Sequence, residues 1–149
     1  MNIQDIINTI SENKAQLGIT LYTPAYISDI EEFERELNII LPEDIKSFYR
    51  FCNGFESAED MFRIIPLKEI LEWKAEYQPN QFYIAEYMIY CDMWVIDINK
   101  SHNEYTVEAY RDIVLTNSFT EFLHRFLKGG VFAKDGLYEW KDQIVNGQR

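Results

Sequence analysis

A chain of 149 residues and 17.8 kDa, 47% hydrophobic and 26% charged, is long enough to bury the core of one domain without disulfides or a structural metal. Its 25 Asp and Glu against 14 Lys and Arg give a net charge of −11 and a pI near 4.6, a field that repels phosphate backbones and anionic lipid alike. Direct nucleic-acid and membrane partners are therefore not expected, and because residues 1–60 hold 12 acids and four bases, a basic partner would be drawn there.

Ile3, Ile6, Ile7 and Ile10 lay one apolar stripe along a first helix ending near Gly18. Residues 19–27 read as an extended connector. Ser28-Asp29-Ile30-Glu31 has the form of a capping box opening a second helix, with Ile30, Phe33 and Leu37 as its core face and Asn38 as its left-handed stop. Pro42 suits the first position of a third helix, Glu43 and Asp44 complement its dipole, and Ile45, Phe48 and Phe51/Cys52 form its stripe before Asn53-Gly54 ends it. A loop carrying Glu56, Glu59 and Asp60 follows.

Met61 to Ile65 is a short β-type run, and Leu67, Ile70 and Leu71 a short helical pattern. Beyond Pro79 the aromatic and β-branched runs Phe82–Ile84, Met88–Cys91, Trp94–Ile98, Tyr105–Tyr110 and Ile113–Leu115 predict strands, and their short connections predict antiparallel neighbours. Phe119, Phe122, Leu123 and Phe126 mark a closing helix between a second capping box, Ser118 to Glu121, and Gly129-Gly130. Tyr138 and Trp140 belong to an appendage. The expected architecture is α+β: one domain over residues 1–149, with N-terminal helices, a mainly antiparallel central sheet and a closing C-terminal helix.

The amino terminus lacks the basic and apolar segments of a signal peptide and no 18 apolar residues run together, so a cytoplasmic location is expected, with Cys52 and Cys91 as free, buried thiols. The chain contains no G-x-S-x-G, P-loop, G-x-G-x-x-G or H-E-x-x-H motif. Asp92, Asp97 and Glu104 are the one local carboxylate set that could serve acid–base or metal chemistry, and acids in turns flanking strands are more often solvated. His102 and His124 lie far apart. The expectation is no catalytic residue, no cofactor and no metal.

Asp29, Glu32 and Glu36 differ in kind, forming one row on the second helix opposite its apolar face, with Arg35 the only nearby cation. A solvated face is one reading. A docking face for a cationic protein, extended by Glu56, Glu59 and Asp60, is the other. Tyr83, Tyr87, Tyr90, Tyr105 and Tyr110 concentrate in the strands, where they serve either packing or a protein-binding surface.

The ordered set Ile30-Glu31-Glu32-Phe33-Glu34, Leu41-Pro42-Glu43-Asp44, Phe48-Tyr49, Asn53-Gly54, Ile65 to Ile70, Trp94 to Ile98 and Ser118 to Leu123 resembles the SUKH superfamily, the SMI/KNR-type immunity proteins, over about residues 27–128. Ala85-Glu86-Tyr87-Met88 stands where many members carry a Gly/Asp-rich turn. The resemblance implies a non-enzymatic immunity protein that neutralises a cognate polymorphic or contact-delivered bacterial toxin. With the acidic charge, it points to a basic toxin such as a nuclease. The alternative is a regulatory protein-interaction module of the SMI/KNR type with no toxin partner.

Overall fold

The computed structural model describes residues 1–110 and 112–147. In chain order these form α1 (Ile3–Asn13), β1 (Ile19–Leu21), α2 (Ile27–Leu37), α3 (Glu43–Phe51), β2 (Phe55–Ser57), β3 (Phe62–Ile64), α4 (Leu67–Glu72), a single 3-10 turn (Lys74–Glu76), β4 (Gln81–Tyr87), β5 (Asp92–Asn99), β6 (Glu104–Ala109), β7 (Ile113–Thr116), α5 (Phe119–Gly129) and α6 (Leu137–Gly147). The seven strands make one antiparallel sheet in sequence order. The architecture is α+β, as expected.

Several boundaries move for identifiable reasons. α2 opens at Ile27, because the carboxylate that reaches back to the preceding backbone is Asp29, accepting from Tyr26 N–H at 3.0 Å, and not Glu31. Pro42 is the cap residue before α3 rather than its first helical residue. Ser118 caps α5 by accepting from Glu121 N–H, but Glu121 returns its carboxylate to the Thr116 hydroxyl, so the second box is half formed. The connector at 19–27 contains edge strand β1, and Glu56 lies on β2 rather than in a loop. Residues 88–91 turn between β4 and β5 instead of forming a strand.

One face of the sheet carries Phe55, Phe62, Trp94, Ile96 and Val107, all buried under the mutually packed helices α1, α3 and α5. Phe62 stacks on Phe126 at 4.1 Å and meets Trp94 edge-on at 5.5 Å, so the complete apolar stripe of α5 is what this sheet face selects. Of the expected core residues, Ile30, Phe33, Ile45, Phe48, Phe119, Phe122, Leu123 and Phe126 are buried, whereas Leu37 is half-buried at the C-terminal end of α2. The appendage is α6, which packs on β7 and α5.

Polar side chains lock these layers. Tyr49 donates to the Ile65 carbonyl at 2.7 Å from a fully buried position, and burial pushes its hydroxyl well above the ordinary tyrosine range. Tyr105 donates to Asp44 and accepts from Phe119 N–H, tying β6 to the first turns of α3 and α5. Asn53 accepts from Leu67 N–H and so caps α4, while Gly54, at φ 95°, lies so close to the Ile64 carbonyl that an added Cβ would stand 2.2 Å from its oxygen. Asn53-Gly54 thus ends α3 and seats β2 against β3 in one step. No helix among the described residues is long and apolar enough to cross a membrane.

Candidate protein-binding site

Because the strands run up and down in sequence order, the β2–β3, β4–β5 and β6–β7 turns share one end of the sheet. The β4–β5 turn is unusual there. Met88, Ile89 and Tyr90 follow one another at φ 52°, 50° and 64°, and Met61 in the β2–β3 turn stands at φ 54°. Left-handed backbone costs an L-residue about 1–2 kcal/mol and is a true outlier for a β-branched side chain such as Ile89. The turn exists because something holds it.

The holding group is a part-buried charge cluster on the sheet face opposite α1, α3 and α5. Glu86, only 3% exposed, accepts from Arg63 Nε at 2.7 Å with one oxygen and from Tyr90 N–H with the other. Arg63 also donates to Glu69 of α4, and Glu69 accepts from the Tyr90 hydroxyl. Hydrogen bonding to Glu69, reinforced by Glu86, raises the guanidinium pKa above its ordinary value, and Arg63 in turn holds the Glu69 carboxyl below the usual carboxylate range. Trp73 packs on Tyr90 with ring centres 4.7 Å apart, completing the support. Charge-assisted bonds of this kind are strong enough to offset local backbone strain.

The expected acidic residues separate into two groups. Asp29 and Asp60 are committed to backbone amides: Asp29 to Tyr26, and Asp60 to Val131 N–H at 3.2 Å, packed against Gly130. Glu32, Glu36, Glu56 and Glu59 are exposed. Glu36 pairs with Lys74 at 3.1 Å, and Glu56 accepts from the Tyr22 hydroxyl at 3.2 Å, both at the surface. The row on α2 is thus relieved at both ends, with Glu32 between them. It joins the sheet cluster through consecutive residues, since Lys74 follows Trp73.

Asp97 and Glu104 line one open cavity of about 700 Å3 with Glu108, whereas Asp92 stands at the other end of β5, accepting from the Tyr138 hydroxyl at 2.7 Å. Glu108 escaped sequence reasoning, although Glu104, Thr106 and Glu108 alternate along β6 in the pattern of one strand face. It is 7% exposed, and burial, with Asp97 and Asp112 nearby, raises its carboxyl pKa. Among the described residues no three His, Cys, Asp or Glu side chains gather as metal ligands would. His102 is exposed in the β5–β6 turn and His124 half-buried on α5. Cys52 is buried, its thiol pushed up to about 12 by desolvation, while Cys91 is exposed, contrary to expectation, because residues 88–91 turn away from the sheet. Of the strand tyrosines, Tyr83, Tyr87, Tyr90 and Tyr105 are half-buried and Tyr110 is exposed.

These features define an α+β meander domain with exposed carboxylates along α2 and β2 and a braced, apolar turn end. Residues 24–125 match the SMI1 / KNR4 family (SUKH-1), and the chain belongs to that family. A comparison with curated proteins returned no match.

Proposed function

We propose that the chain is an immunity protein that neutralises a cognate polymorphic or contact-delivered bacterial toxin by direct, non-enzymatic binding, the toxin being a basic protein such as a nuclease. The observation that carries this reading is the surplus of exposed carboxylates, Glu32, Glu36, Glu56 and Glu59, on a chain of net charge −11 with a SUKH-1 fold. A nuclease must present cationic side chains to phosphate, so an acidic protein surface both steers toward that groove and competes for it. Asp29 and Asp60 contribute to the same field while fixing backbone.

The test takes any toxin domain found encoded beside this gene, produced in isolation, and titrates the chain into its cleavage or killing assay. The expected result is complete inhibition at one chain per toxin, weakening as salt rises. Undiminished toxicity with the chain in tenfold excess would overturn the reading and leave the regulatory SMI/KNR-type module in its place.

A further inference from the structure

The apolar turn end displays side chains that the core does not use. Ile89 is 82% exposed, Met61 50% and Met88 44%, and all three hold left-handed backbone, so the chain accepts strain in order to display apolar side chains to water. Met88 N–H donates to the Met61 carbonyl at 2.9 Å, which makes the two turns one surface. Phe132, 59% exposed, packs edge-on against Tyr87 at 5.1 Å on the flank of that surface. Glu59 and Asp112, in the turns on either side, are exposed carboxylates.

Resting on the immunity reading, we propose that Met88 and Ile89 form the desolvated anchor by which the chain grips its basic protein partner, inserting into an apolar pocket ringed by Lys or Arg. Met61 and Phe132 flank the anchor, and Glu59 and Asp112 face the partner's cations. The net charge of −11 selects this occupant: a second copy of the chain, equally acidic, would meet net repulsion. The bracing of the turn by Arg63, Glu69 and Glu86 serves binding, because an anchor held in its bound conformation loses little entropy on docking. Anchors of this kind govern dissociation, whereas exposed charge governs association.

The full chain, carrying a photo-crosslinking residue at position 89, 59, 32 or, as a control at the far end of the sheet, 102, is expressed in the producing cells and irradiated. The expected product is an adduct at 89 with a polypeptide of pI above about 9, and none at 102. That polypeptide, purified, is then the probe. Ile89→Gly should speed its dissociation at least about tenfold, change association less than about twofold, and raise the denaturation midpoint of the free chain by relieving the left-handed strain. Adducts at 32 or 59 without one at 89, or unchanged dissociation for Ile89→Gly, would overturn the anchor and leave the immunity reading standing. An adduct between two copies of this chain would overturn the choice of occupant. Silence at all of 89, 59 and 32 would overturn both.

Discussion

Arg63 is the residue whose loss would be felt most sharply at the sheet face, because Glu86 beside it is almost wholly buried and would keep an unpaired charge. Breaking a buried pair costs about 3–5 kcal/mol, and the partial solvent access of Arg63 places Arg63→Met near the lower end, about 3 kcal/mol, measurable by urea denaturation. Glu108 works in the opposite sense. Burial raises its native carboxyl pKa, so its favourable contribution is complete below the ordinary value of 4.5 and is lost as pH rises through the native value. Glu108→Gln should therefore stabilise the protein at neutral pH, with the gain shrinking toward zero as pH falls below about 4. A stability difference that grew on acidification would contradict this. Glu69, whose carboxyl is lowered by Arg63, contributes stability above the ordinary carboxylate pKa and loses it as pH falls, so the cluster weakens in acid.

Among the elements, α5 was the most legible in sequence because its full stripe reports a single buried face, and the structure packs Phe122 between Phe119, Phe62 and Trp94 with no exposure. Phe122→Ala should cost about 3–5 kcal/mol through the cavity it leaves, and an unchanged denaturation midpoint would remove α5 from the core. β1 and β2 were not legible. Each is three residues long with one middle residue, Thr20 or Glu56, turned outward, too few alternations to signal a strand; β3 pairs with β2, and β2 in turn with β1. Residues 88–91 carry strand-forming side chains, yet Glu86 draws the Tyr90 amide back into a turn, a tertiary contact that local propensity does not contain. The acidic row on α2 was visible as a row, whereas its relief by Lys74 and by the cap at Asp29 depends on the fold.

At the scale of the whole molecule, the proposed binding combines charge that acts through space with an apolar end that acts on contact. Exposed carboxylates work through a field screened over about 8 Å at physiological ionic strength, so their effect belongs in the association rate and in its dependence on salt. The measurement that bears most directly on the proposed function is the association rate of the proposed basic toxin partner with a Glu32→Lys/Glu56→Lys/Glu59→Lys variant, followed from low to high salt. Asp29 and Asp60 are left intact because their carboxylates hold backbone amides. Association should be slowed at least about tenfold at low salt, its salt dependence flattened, and folding and dissociation should stay close to wild type. Association rates that match wild type across the whole salt range would contradict this.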